Sequence, residues 1–480
     1  MDNYINLCKY FISKEKSQEK SLLIAPAGCG KTYTIAECLN YTKGRHLILT
    51  HTHAGVASLK EKIKNMGIPT NKYWIETIDS YAQKYVNAFY CKNDVPKQDD
   101  KKEYFPFIIK KATMLVKIKP ISDIIKLTYD GLFVDEYQDC TKTQHEFIMA
   151  LSEILPTHLL GDPLQGIFDF RGQLVDFDED LKGFEQFKLN EPWRWKNTNP
   201  KLGKCLMEIR EKLEKKEDID LDTFKDIFEV IDVEEADIFK QGSDYNKKIW
   251  ELLNEDSLLI IHPESGKNIS VRKNIIKVFK NQLYLVEAID EKDFYKFSKN
   301  FDNSTPANIY SNIIYNFICE VFNKGEIKKW FNRSALINRR DKKDRKIIEP
   351  IKRNFDELKK NFSFKLVAHI LKQIKNLPNI KCYRKELFND ICKALEESEN
   401  NHTSVYESMK KIKNRKRRMG RKIKGKCIAT TLLIKGLEFD TVAILNAHKF
   451  KDPKNLYVAL TRASRKLVIF TNNNILSPYS

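Results

Sequence analysis

The sequence predicts an α/β fold in which short buried strands feed amphipathic helices, and three segments carry that prediction. SLLIAPAGCGKTYTIAECL (21–39) reads as an apolar strand, a turn of small residues and an amphipathic helix. GLFVDEYQDC (131–140) is a second apolar run, ending in Asp135, Glu136, Gln138 and Asp139. THLLGDPLQGIFDFRG (157–172) is a third strand-like segment, following closely on those acids.

Bulk properties narrow the class. A chain of 480 residues with 42% hydrophobic content can bury several cores, and length alone suggests about three domains. The start, MDNYINLCKYFISKEKSQEK, scatters lysines through its apolar residues and reads as neither signal peptide nor anchor. No run approaches the roughly 18 apolar residues of a membrane span. The ten cysteines form no CxxC pair, which argues against a zinc site or a disulfide framework and for a reduced, cytoplasmic protein. Basic residues outnumber acidic ones, 84 to 65, a net charge of +19. KKIKNRKRRMGRKIKGK (410–426) holds eleven basic residues and no acid, so a polyanionic partner is expected.

The octet Ala25, Pro26, Ala27, Gly28, Cys29, Gly30, Lys31, Thr32 fits the phosphate-loop pattern, with Ala in place of the first Gly. Gly28 and Gly30 let backbone amides turn inward around phosphates, and the following helix adds its positive end. Lys31 would reach the outer phosphates and Thr32 would hold magnesium. An isolated Asp-Glu pair at a strand end is ordinarily the start of a turn. Beside a nucleotide site the pair gains a task, because one carboxylate can hold magnesium and its neighbour can orient and deprotonate the attacking water. Asp135 takes the first role and Glu136 the second.

At this point the sequence resembles the UvrD-like group of superfamily 1 helicases, whose motifs read DEFQD and GDxxQSIYxFRGA where this chain has DEYQD and GDPLQGIFDFRG. Further stretches match in the family's order: THTHAGVASLKEKI (50–63), ETIDSYAQKY (76–85), NEPWRWKNTNPKL (190–202), KGLEFDTVAIL (435–445) and LYVALTRASRKLVIF (456–470). The resemblance implies two RecA-like phosphate-loop NTPase domains with parallel sheets, ATP in the cleft between them, and mostly helical insertions. It implies that Gln165 senses the outer phosphate, that Arg194 and Arg462 approach it from the second domain, and that Gly436 and Glu438 lie near sugar and phosphates. Gln138 would link across the cleft and Asp139 would support neighbouring motifs. For DNA it implies stacking on Phe168 and Phe170, with His51 as a weaker platform, and backbone contact or bracing by Thr52, His53, Thr77 and Arg171. Two departures stand out. The glutamine motif ahead of the phosphate loop has no clear counterpart, Gln18 lying too close to Lys31, and Leu432 and Leu433 replace polar positions before Lys435.

The expected organisation is a first motor domain at 1–190 with a small helical insertion at about 82–128. A second motor domain comprises 191–290 and 421–480, and a helical insertion spans 291–420. After Trp195 the chain reads as acidic and helical to residue 240, then as a strand and helix (256–279) and a further strand (282–290). Ser304 and Pro306 can open a helix that Gly325 closes. The expected function is a magnesium-dependent ATPase that translocates 3′ to 5′ on single-stranded DNA, or on DNA with single-stranded ends, and unwinds duplexes. The alternative is a nucleic-acid-sensing ATPase subunit that regulates a partner nuclease in antiphage defence. No nuclease motif is present in the chain.

Overall fold

Six short strands form the first sheet of the computed structural model. The structure describes residues 20–479 except 93, 97–100, 169–171, 264–268, 281, 288–291, 306–311, 333–334, 338–340, 420–422 and 424, and for 54, 101–102, 269–270 and 417–419 the backbone alone. The strands are β1 (Lys20–Ile24), β2 (His46–Thr50), β3 (Tyr73–Thr77), β4 (Gly131–Val134), β5 (Thr157–Gly161) and β6 (Glu185–Lys188). They run parallel in the order β3-β2-β4-β5-β1-β6. Leu22, Leu47, Leu49, Leu132, Val134 and Leu159 enter one core, and Leu23, Ile48, Phe133 and Leu160 the core on the opposite face. Burial on both faces is why these strands read as unbroken apolar runs rather than alternating ones.

Helices α1 (Lys31–Tyr41), α2 (His53–Asn65), α3 (Ile78–Phe89), α4 (Lys101–Val116), α5 (Lys119–Thr128) and α6 (Lys142–Ser152) belong to this half. Their starts are written in the sequence. Thr52 accepts from Gly55 N–H at the head of α2, and Thr77 from Ser80 N–H at the head of α3. Thr141 and Gln144 form a reciprocal capping box at α6. Helices α3 to α5 fill the segment between β3 and β4 and contribute Tyr81, Ile108 and Ile125 to the core.

The second sheet has six parallel strands in the order β9-β10-β8-β11-β12-β7. They are β7 (Glu229–Asp232), β8 (Leu258–Ile261), β9 (Tyr284–Leu285), β10 (Lys426–Ala429), β11 (Phe439–Ile444) and β12 (Ala463–Thr471). The two halves thus each carry a parallel six-stranded sheet in an α/β fold. Helix α7 (Pro200–Glu214) packs Leu202, Leu206 and Ile209 against Leu259, Ile261 and Ile444 of this sheet. The expectation of continuous helix to residue 240 fails at β7. As an edge strand β7 pairs, among the described residues, with β12 alone, and its acidic sequence EVID lacks the apolar run of a central strand.

Between β9 and β10 the described chain is almost wholly helical: α8 (Asp244–Leu252) and α9 (Ile269–Val278) precede β9, and then come α10 (Lys292–Asp302), α11 (Ile314–Val321), α12 (Lys324–Trp330), α13 (Lys342–Lys360), α14 (Phe364–Lys375), α15 (Lys385–Asn401) and α16 (Val405–Met419). Helices α10 to α16 surround their own core of Phe294, Phe317, Phe355, Leu371 and Leu395. Pro306, the expected helix opener, lies outside the described residues. Gly325 closes nothing: α11 has already ended at Val321, and Gly325 sits in the first turn of α12. Arg384, fully buried, fastens this body to the second sheet through Glu287 (2.5 Å), just past β9, and pairs within the body with Asp293 (2.5 Å) and Glu320 (3.0 Å). Helix α16 also packs on α2 of the first half.

The basic run is not a free cationic strip where its side chains are described. Lys413 pairs with Asp390 (2.7 Å), Arg415 with Glu397 (2.5 Å) and Lys416 with Glu386 (3.0 Å) and Asp390 (2.7 Å). Acids of α15, distant in sequence, neutralise charges that read locally as an unbroken positive run. Among the described residues no helix is long and apolar enough to cross a membrane.

Candidate active site between the two sheets

The phosphate loop is fixed at both ends. Ala25 N–H donates to Gly161 O at the end of β5 (3.0 Å), and Cys29 N–H to Pro26 O (3.1 Å). Gly28 (φ 75°) and Gly30 (φ 95°) are left-handed, the region where a Cβ is costly. Gly28 is needed twice over, since a Cβ there would lie 2.6 Å from Trp195 Cζ3. Helix α1 begins at Lys31 with no side-chain cap, so its first amides face the loop unclaimed by a cap, the arrangement that binds phosphate. Lys31 is buried and folds back to donate to Ala25 O (2.7 Å).

The acids stand at the end of β4. Glu136 holds φ 56° and ψ 41°, a left-handed conformation unusual for a non-glycine residue, and such strain collects where a side chain must be aimed. Its N–H donates to Asp135 Oδ1 (3.0 Å). Burial, and then the neighbouring Glu136, push the Asp135 carboxyl up to about 7. Burial acts to raise Glu136 too, but Lys31, then Lys435, and the Gln138 amide hold it below the usual carboxylate range. Two adjoining carboxyls of which one is driven neutral form a donor set that a divalent cation would relieve. The hydroxyl of Thr32 and the carboxylate of Asp135 are hard oxygen donors suited to magnesium, which keeps several waters and takes few protein ligands. Among the described residues no cluster of three or more His, Cys, Asp or Glu could hold a metal.

The second half answers with cations. Arg194 N–H donates to Gly28 O (3.0 Å), while its guanidinium reaches Thr461 O (2.5 Å) and Glu438 (2.6 Å). Arg462 is buried and donates to Val458 O (3.0 Å) and Leu437 O (3.1 Å). Burial, and then Arg194 beside it, lower Arg462 to about 10, while Glu438 and Glu136 act to raise it. Lys435 bonds Asp139 (2.6 Å) and the Gln165 carbonyl, and lies 4.8 Å over the Phe168 ring. A cavity of about 930 Å³ separates these groups, bordered by Gly28, Lys31, Asp135 and Glu136 on one side and Arg194, Lys435, Glu438 and Arg462 on the other.

The sequence-derived nucleotide residues therefore converge. Pro26, Ala27, Gly28, Gly30, Lys31, Thr32, Asp135, Glu136, Gln165, Arg194, Gly436, Glu438 and Arg462 all line the cavity. Ala25 lies behind it and receives Lys31, and the buried Cys29 thiol, pushed up to about 11 by burial, meets Met207 Sδ at 3.9 Å. Gln138 and Asp139 exchange their expected roles. Gln138 stays within the first half, accepting from Asp162 N–H (2.9 Å) and donating to Glu136, while Asp139 makes the contact across the cleft to Lys435.

Of the expected nucleic-acid residues, His51, Thr52 and Phe168 line the same cavity. His51 is buried, with Nε2 3.3 Å from Cys140 Sγ. The Thr52 and Thr77 hydroxyls cap α2 and α3, and His53 opens α2. Phe168 lies under Lys435. Phe170, Arg171 and Gln18 lie outside the described residues. Sequence reasoning passed over Lys435, which stands beside the chosen Gly436, and the cavity-lining aromatics Trp193 and Tyr33, both exposed. Their proximity to the motifs was the available signal.

Residues 11–171 match a family described as an AAA domain, and residues 352–471 match the viral superfamily 1 RNA helicase core domain. The chain is thus similar to superfamily 1 helicase-like families toward both of its ends. Among solved structures it is similar to the PRRSV helicase (10% identity, 94% of this chain and 52% of that one, TM-score 0.33). It is similar also to arterivirus nonstructural protein 10, a helicase, in complex with DNA (10%, 98% and 63%, TM-score 0.33), and to Bacteroides sp. Pif1 in complex with ADP-AlF4 (13%, 56% and 55%, TM-score 0.31). The chain spans 52% and 63% of the first two. No curated protein matches it.

Proposed function

We propose that this helicase-like NTPase is a magnesium-dependent ATP hydrolase of the UvrD-like group that translocates 3′ to 5′ on single-stranded DNA. One observation carries the hydrolytic part: a phosphate loop and an acidic pair face the half-buried Arg194 and the buried Arg462 across one cavity. Thr32 and Asp135 would hold magnesium, which supplies charge neutralisation on the phosphates when bound. Glu136, aimed by its left-handed backbone and the Gln138 amide, would accept the proton of the attacking water. Arg194 and Arg462 would complete the charge balance only with the halves closed, since each reaches the cavity from the second side. Trp193 and Tyr33, exposed at the cavity, offer ring faces to a base. The motif resemblance is what supports DNA, direction and the UvrD-like assignment.

A second reading, a nucleic-acid sensor that hydrolyses ATP to change a partner nuclease, gains from the internally paired Arg415 and Lys416. One experiment addresses both. ATP turnover is measured with and without magnesium, single-stranded DNA and single-stranded RNA, beside displacement of a strand from a duplex with a 3′ tail. Magnesium-dependent, DNA-stimulated turnover with strand displacement is expected. Stimulated turnover without displacement would select the sensor, and no turnover under any condition would overturn both.

A further inference from the structure

Arg210, on helix α7, belongs to no recognised motif, yet it is buried to 4% exposure beside Asp162, which is at 0%. Its Nη1 donates to Asp162 Oδ1 (2.5 Å) and to the Tyr457 hydroxyl (3.3 Å), and the guanidinium carbon lies 5.4 Å from the Tyr457 ring centroid. Nη2 pairs with Glu214 (2.8 Å). Each partner leads to a different part of the site. The Tyr457 hydroxyl accepts from Ala27 N–H of the phosphate loop (3.1 Å). Asp162 accepts from the Gln165 side-chain amide (2.6 Å), and its own N–H donates to Gln138, whose amide donates to Glu136. One guanidinium carried by the second half therefore holds the first half at the phosphate loop and behind the two groups assigned to water and outer phosphate.

Resting on the proposed hydrolytic reading, we infer that Arg210 is a positioning residue: it couples closure of the two sheets to the aim of Gln165 and Glu136. The geometry suits arginine, because a planar fork can serve a carboxylate and a hydroxyl at once where an ammonium offers a single point charge. A carboxylate at 0% exposure also needs its partner, since removing one member of a buried pair leaves an uncompensated charge. That cost could by itself unfold a single variant, so the test includes a charge-balanced one.

The experiment compares the full-length wild type, Arg210→Gln and the double variant Arg210→Gln/Asp162→Asn. Hydrogen exchange is read by mass spectrometry on peptides covering residues 25–32 and 162–166 without nucleotide, and kcat and KM for ATP are read with saturating single-stranded DNA. In the double variant, which keeps no unpaired buried charge, both peptides are expected to exchange about tenfold faster or more. Its kcat should fall about tenfold to 100-fold, with KM held within about twofold, the signature of misaligned groups rather than lost binding. Wild-type exchange at either peptide of the double variant, or wild-type kcat, overturns the proposal. If Arg210→Gln fails to fold, the double variant decides alone. If the wild type hydrolyses no ATP, the hydrolytic reading fails separately, and the exchange data still decide whether Arg210 joins the two segments.

Discussion

The two sheets present opposite chemistry to the cavity they share. The first offers loop amides, the Thr32 hydroxyl and two carboxyls, one driven up by burial. The second offers Arg194, Lys435 and Arg462, each already hydrogen-bonded to carbonyls or acids. A nucleotide could be gripped by the first edge alone, but its hydrolytic charge balance needs the second. Binding and turnover should therefore fail separately, according to the side that is altered.

The largest expected effect tests the first side. Lys31→Ala should abolish nucleotide binding, whereas Glu136→Gln should retain it and lose hydrolysis by about 10² to 10⁴. Nucleotide titration beside steady-state turnover checks this, and full hydrolysis by Glu136→Gln would remove the assigned base. Gly28→Ala comes next, because it damages the seam where the sides meet. A left-handed backbone costs a Cβ-bearing residue about 1 to 2 kcal/mol, and Trp195 must also move. Thermal unfolding should show the loss, together with weaker nucleotide binding. A variant matching wild type in both would mean that the loop and Trp195 are not packed as described.

The two halves should also share an acid sensitivity. Burial lowers His46, on the first sheet, and His262, beside the second, to about 4 from 6.5. Between those pH values the unfolded chain binds protons that the folded chain refuses, so stability present above pH 6.5 is lost as pH falls toward 4, by up to about 3 kcal/mol per histidine. Melting temperature at pH 7 and pH 4.5 should drop less in a His46→Gln/His262→Gln protein than in wild type. An equal drop would assign the acid sensitivity to other groups. The smallest effect is expected in the basic run. Because Arg415 and Lys416 already have acidic partners, changing both to Gln should shift the salt slope of single-strand binding by less than the about 0.7 per phosphate contact of free cations. A larger flattening would show that these pairs open on nucleic acid.

What the sequence disclosed follows from distance along the chain. The octet ending in Thr32 and the DEYQD stretch were legible because loop, strand end and side chain lie within ten residues of one another. The link of Asp139 to Lys435, 296 residues away, was not, and its absence led to Gln138 being given the cross-cleft role. Arg210 and Asp162 are 48 residues apart with no local pattern announcing their pairing. Strand β7 escaped because an acidic edge strand lacks the apolar run that revealed β4, β5 and β8. The positive run at 410–426 misled for the same reason in reverse, since the acids that pair with it lie on another helix.

The division of labour across the cavity is tested most directly by Arg462→Ala. Single-turnover ATP hydrolysis with single-stranded DNA should fall by about 10³ or more, within the range such arginines contribute. The dissociation constant for a non-hydrolysable ATP analogue should stay within about threefold, since the first sheet still grips the nucleotide. Hydrolysis at the wild-type rate, or affinity lost in step with turnover, would contradict a site whose binding and catalytic charges come from opposite sheets.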